Sequence, residues 1–212
     1  MSAESREVRK PQQKRSRTTK SRLLDAGQLL ICRKGYHGTN SKEIAAEAGV
    51  AVGSFYAYFK DKKDLFIAIL ERYTDRIFAS IPELPAQQLV PREGVPGEGK
   101  DLLYKYIRTV VEAHDLPELH RELYVVLRND PELEALIDRW QQESVRRIER
   151  SLQAASTHLR IRDARAAAIL LYASLEAIIQ RITLHRVAVD EGRLVEELAD
   201  MFARYLLSDP SR

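Results

Sequence analysis

From Leu23 to Leu206, apolar residues return every three or four positions almost wherever Pro or Gly does not interrupt the chain. That spacing belongs to helices with one inner face, and no run of Val, Ile or Thr alternates with polar residues between turn signals as a strand would. An all-α fold is therefore expected, with about nine helices. At 212 residues, 44% apolar and 31% charged, the chain is long enough for one large or two modest helical units with a core.

Glycine and proline supply the punctuation. "KSRLLDAGQLLICRKG" places Leu23, Leu24, Ala26, Leu29, Leu30 and Cys32 on one face and stops at Gly35, just after Arg33 and Lys34, where cations suit the helix dipole. Thr39 is the expected cap of a short helix with Ile44, Ala45 and Ala48 inside, closed by Gly49. Only three residues later a second short helix is expected at about 52 to 58. Lys62 opens a longer one that ends by Pro82, and "PELPAQQLVPREGVPGEG" then predicts a loop up to Gly99. Beyond it, helices are expected at about 100–114, 117–128, 131–157, 162–186 and 191–207, the third started by Asp130 and Pro131.

Charge divides the chain as well. Residues 1–64 hold 14 Lys and Arg against 7 Asp and Glu, a net +7, whereas the rest carries −4. A basic front fits a polyanion, and a mildly acidic back fits a different partner. The expected organisation is a basic flexible arm over 1–19, a DNA-binding domain over 20–66 and a larger helical domain over 67–212. Arg6, Arg9, Lys10, Lys14, Arg15, Arg17 and Lys20 give the arm its charge and a means to reach phosphate or the minor groove.

Two short helices meeting at a glycine, braced by a third, outline a helix-turn-helix, whose second helix enters the DNA major groove. Ala51, Val52 and Gly53 are small enough for a close approach, Phe55 and Phe59 are four apart and face the supporting helices, and Tyr56, Ala57 and Tyr58 remain for DNA. The stretch "LLDAGQLLICRKGYHGTNSKEIAAEAGVAVGSFYAYFKDKKDLFIAIL" resembles the tetracycline-repressor (TetR) family of bacterial transcriptional regulators. The likeness lies in a helix, Gly-Tyr, Thr, "IAAEAGV", "GSFYAYF" and "KDKKDL", in order over about fifty residues. It implies that Ser41, Lys42, Val52, Gly53, Ser54, Tyr56, Ala57, Tyr58 and Lys62 form the DNA-facing set, with Lys62 gripping phosphate. Ala51-Val52 stands where the family often has a polar pair, which leaves more of the grip to the arm, Lys60, Lys62 and Lys63.

One such motif covers half an operator, so a homodimer on a roughly palindromic site is expected. The segment 163–186 is apolar around much of its circumference (Ala166, Ile169, Leu170, Ala173, Ala177, Ile178, Ile182), and the last helix adds Met201, Phe202 and Tyr205, so these two helices are the expected dimer contact. The resemblance implies a small-molecule pocket in the back half. Tyr106, Tyr124, Trp140, Tyr172 and Glu176 are the candidate lining, Glu176 being a carboxylate in a nearly apolar helix that needs a cationic ligand, an Arg partner such as Arg181, or the dimer rim.

Other classes find little support. The single cysteine, Cys32, leaves no internal disulfide and is expected as a small core residue in a reducing setting. The N-terminus lacks a signal peptide's apolar stretch, the greasiest segment is interrupted by Arg165 and Glu176, and a cytoplasmic protein, nucleoid-associated when bound to DNA, is expected. There is no phosphate loop, nucleophile elbow or HExxH, and His114 and His120 have no metal spacing and are expected at the surface. No cofactor, metal or enzymatic activity is expected. The expected function is that of a ligand-relieved repressor; the alternatives are an architectural DNA-binding dimer and a small-molecule carrier or enzyme.

Overall fold

The computed structural model describes residues 10–89, 98–127, 130–184 and 189–207, without the side chains of 10–16, Tyr124 and Leu127. Among these residues there are nine α-helices and no strand: α1 (Lys10–Lys34), α2 (Ser41–Glu47), α3 (Val52–Tyr56), α4 (Lys62–Ser80), α5 (Glu98–Ala113), α6 (Pro117–Leu127), α7 (Pro131–Ala154), α8 (Ala164–Leu184) and α9 (Glu191–Leu206). Single 3₁₀ turns occupy Ala86–Gln88 and Ser156–His158. The all-α expectation holds.

The chain forms two compact units that divide between Tyr73 and Thr74, inside α4 and seven residues beyond the expected boundary. Helical periodicity does not break where the units change, so nothing in the pattern could mark the place. Helix α1 begins at Lys10, inside the expected arm: Lys10 to Thr19 carry no Gly and only Pro11, which the first turn of a helix tolerates. Arg6 and Arg9 lie outside the described residues.

In the first unit Leu23, Ile31, Ile44, Phe55, Leu65, Phe66 and Ile69 are fully buried and make the core. Helix α1 ends on Gly35, whose φ of 78° is the left-handed conformation a helix stop needs, and whose N–H donates to Ile31 O at 2.9 Å. Thr39 does not cap α2. Its hydroxyl donates back to Gly35 O at 2.9 Å, and the cap is Asn40, whose side chain accepts from Glu43 N at 3.0 Å. The threonine is one residue too early to reach the first-turn amides. Asp61 and Asp64 start α4 reciprocally: Asp61 Oδ1 accepts from Asp64 N at 2.8 Å, and Asp64 Oδ2 from Lys60 N at 2.9 Å.

In the second unit α5 packs on α9, α7 on α8, and α6 on α8. Their core gathers Leu103, Ile107, Val110, Leu152, Leu171, Leu175, Val195, Phe202 and Leu206. Asp130 caps α7 as expected, accepting from Glu132 N and Leu133 N. Arg147 of α7 closes the other end of α4: its two terminal nitrogens donate to Phe78 O at 3.1 Å and Ile81 O at 3.0 Å, with the guanidinium 5.4 Å from the Phe78 ring centroid. Helix α8 is long and apolar enough to cross a membrane by length and composition, yet Ala167, Ala168, Leu171, Leu175 and Ile179 are in the helical core. Replacing Arg147 with Met keeps the stem and removes both donors. We expect a loss of about 2 kcal/mol, the scale of hydrogen bonds from a charged group, seen in thermal unfolding as a fall of about 4–8 °C; an unchanged melting curve would show that the arginine caps nothing of consequence.

Candidate nucleic-acid interface

The turn between α2 and α3 depends on Gly49. Its φ is 62°, a conformation that costs an L-residue about 1–2 kcal/mol, and its carbonyl accepts from Arg22 of α1 at 3.3 Å. Gly49 N and Val50 N return to Ala46 O and Ala45 O at 2.9 Å, so the chain reverses within two residues. The next helix follows at once.

Helix α3 is only five residues long, two shorter than expected, and Ala57 and Tyr58 follow its last turn. Phe55 is fully buried and Phe59 nearly so, their rings 5.8 Å apart, and Lys20 of α1 stands 5.6 Å from the Phe59 ring centroid. Those two rings hold the element against its unit. The other side is open: Val52 is 38% and Tyr56 56% exposed, Gly53 and Ala57 are exposed, and Ser54 and Tyr58 are half-buried. A Cβ built on Gly53 would meet no atom within 4 Å, so the protein itself does not require a glycine there.

Ser41, at the start of α2, is tied to this surface by its hydroxyl, 2.9 Å from the Tyr56 hydroxyl. Two hydroxyls sharing one hydrogen leave the second hydrogen for another acceptor. Lys42 is exposed beside them. Lys62 stands apart from the expectation. Its ammonium donates to Tyr36 O at 2.6 Å and Thr39 O at 2.7 Å and lies 4.2 Å from the Tyr36 ring centroid, and burial holds its pKa below the ordinary lysine value. Two of its three donors therefore serve the α1–α2 turn, a role that sequence spacing across 26 residues could not reveal.

Of the candidate ligand residues, Tyr172 and Glu176 stand four apart on α8, and Tyr106 lies on α5. Tyr106 is buried, and that burial, eased by the charge of Arg147, pushes its phenol up to about 12. It lines a groove of about 490 Å³ with Leu84, Gln88, Lys105, Thr109 and Ser151. Trp140, Tyr172 and Glu176 are half-buried and do not line it, and the Tyr124 side chain lies outside the described residues. Glu176 accepts from the Gln180 amide at 3.1 Å.

The histidines are a correction. His120 is buried, His114 is half-buried, and their rings meet edge to face with centroids 5.7 Å apart. The signal was present: His114 continues the Leu103, Ile107, Val110 stripe of α5, and His120 stands next to buried Leu119 and three before Leu123. Burial lowers the pKa of both, and the Glu176 charge acts against that in both.

Two family models match the chain, "Bacterial regulatory proteins, tetR family" over residues 23–69 and "Tetracyclin repressor-like, C-terminal domain" over 100–206. The chain belongs to the TetR family. The HTH-type transcriptional regulator AcrR of Shigella flexneri is 32% identical over 109 residues, 51% of this chain and 47% of that protein. The fatty acid metabolism regulator protein of Bacillus subtilis is 38% identical over 58 residues, 27% and 30% of the two chains. The chain thus matches about a quarter to a half of the length of such curated relatives. Among solved structures, SmeT, the repressor of the Stenotrophomonas maltophilia multidrug efflux pump SmeDEF, superposes with a TM-score of 0.64 at 20% identity, over 91% of this chain and 92% of that one. A transcriptional regulator from Saccharomonospora viridis in complex with choline gives 0.65 at 20%, over 90% and 98%. At these identities the likeness is one of fold. The proteins named here are described as regulators or repressors.

Gly49→Ala tests the turn. The strain of a left-handed alanine, with its Cβ 2.6 Å from the Arg22 guanidinium, is expected to cost about 1–2 kcal/mol and to speed amide exchange through residues 50–56. Exchange unchanged there would mean that the turn tolerates a side chain.

Proposed function

We propose that the protein is a homodimeric, sequence-specific DNA-binding transcriptional regulator, a repressor whose hold on its operator is relieved by a small molecule bound in the second unit. The observation that carries the DNA-binding part is the division of α3 into two sides. Phe55 and Phe59 are anchored, while Val52, Gly53 and Tyr56 stand exposed beside Ser41 and Lys42. Ser54, Ala57 and Tyr58 complete the surface, with Tyr56 and Ser41 on phosphate and Ala57 against a thymine methyl. Lys62 contributes through the turn it holds and has one donor left for phosphate.

Dimerisation uses α8 and α9, where Ile169, Leu170, Met201 and Tyr205 are 40–56% exposed. The effector is an organic small molecule. SmeT has been solved with triclosan and another relative with choline, so ligands of unlike chemistry occur on this fold. Tyr106, Tyr124, Trp140, Tyr172 and Glu176 remain the candidate contacts. The effector prefers a form of the second unit in which α4 has shifted, changing the separation of two recognition helices that otherwise sit about 34–36 Å apart. Such a protein works in the cytoplasm.

Selection of bound sequences from random duplex DNA tests the reading. A palindromic consensus is expected; selection of no consensus would favour an architectural DNA-binding protein. On the consensus, Tyr56→Phe removes one hydroxyl per half-site and should lower affinity about 30-fold, at about 1 kcal/mol for each hydrogen bond. Lys42→Ala should reduce the slope of log affinity against log salt by about 2 for the dimer.

A further inference from the structure

The second unit holds two histidines that the regulator reading does not use, beside Glu176. His114 follows the last residue of α5, His120 is in α6 and Glu176 is in α8, so three elements each contribute one ionisable group. The two rings are edge to face with centroids 5.7 Å apart. His114 Nδ1 is 2.7 Å from Val110 O. A carbonyl only accepts, so that nitrogen carries the proton in the neutral ring and Nε2 is the basic one. The charged groups acting on the pair are Glu176 from α8 and Asp115 from the α5–α6 connection, both negative. Among the described residues no three such side chains are placed to hold a metal ion.

Asp115 connects the cluster to α4. It comes directly after His114, and its two oxygens receive Arg76 Nη1 at 3.0 Å and Nη2 at 2.5 Å. A cation formed at His114 competes with Arg76 for that carboxylate and draws on Glu176 at the same time. We propose that His114, His120 and Glu176 form a proton-sensing latch, closed with both imidazoles neutral and opened by one proton, which acts on α4 through Asp115 and Arg76. The second proton is opposed by the first, because the imidazoles are neighbours. The latch stands on its own geometry; its meaning for transcription rests on the regulator reading above.

The pH window follows from the direction of the shifts. Burial lowers both histidines from 6.5. The neutral pair's contribution is therefore complete above about pH 6.5 and is lost as pH falls through the lower folded values, where the unfolded chain binds more protons. The test is an NMR titration of the full-length protein without DNA, following the His114 and His120 ring signals and the Arg76 side-chain signal from pH 7.5 to 5. We expect both histidines to titrate below 6.5 and Arg76 to follow the first of them. Glu176→Gln, which keeps shape and removes charge, should lower the histidine midpoints by about half a unit to one unit, and His120→Gln should shift the His114 midpoint upward. An Arg76 signal indifferent to the histidines, or midpoints unmoved by Glu176→Gln, overturns the latch. Operator affinity read over the same pH range should change with the same midpoint. A protein that selects no DNA sequence at any pH counts against the regulator reading alone, since the NMR signals are read without DNA.

Discussion

A helix of five residues cannot stand by itself, and α3 exists because Phe55 is buried under it and Phe59 just after it. Helix nucleation is unfavourable at this length, so packing must do what propagation does elsewhere. The two rings stand four residues apart, which places both on one side, and the same spacing turns Val52 and Tyr56 to the other side. Exposure of the outer face of α3 is thus a consequence of anchoring. Gly49 adds the second constraint, because only a left-handed residue there lets α2 and α3 meet so closely.

The turn that precedes α2 is governed by similar logic with polar groups. The carbonyls of Tyr36 and Thr39 leave helix geometry after α1; Tyr36 O accepts from Thr39 N at 3.3 Å, and Lys62 donates to both carbonyls. Half-buried beside the Tyr36 ring, the ammonium has lost part of its hydration and is compensated by two hydrogen bonds and the ring's face. A lysine that looks like a phosphate contact in one dimension is first a structural clamp in three. These two roles are compatible, since an ammonium has three donors.

Most of the fold was legible because helices are local. The three-to-four spacing, Gly35, Gly49, Pro82 and the Asp130-Pro131 pair placed the elements within a few residues. What could not be read was tertiary in origin. The change of unit at Tyr73 falls inside an unbroken helix. Asn40 takes the cap from Thr39 because Thr39 has a carbonyl to bond across the turn. In the second unit aromatic content points equally to a pocket or to an ordinary core, and among the described side chains Tyr106 is buried and lines a groove. Metal spacing says nothing about the burial of the histidines, whereas the apolar stripe on which His114 lies does.

Helix α8 shows why composition alone leaves its fate open. One side, Ala167, Leu171, Leu175 and Ile179, is buried in the core of its own unit. The other side carries Ile169 and Leu170, exposed, with Ala166, Ala173 and Ala177, also exposed, in the turns on either side of them. A helix apolar on both sides has the same sequence signature whether it is bound for lipid, a protein interior or a second copy. Small residues among the branched ones argue for the last of these, because alanines let another helix approach closely enough for the larger side chains to interdigitate. Two-fold symmetry would then double each contact, and Glu176, half-buried on the inner margin of that helix, would stay with the histidines rather than enter the interface.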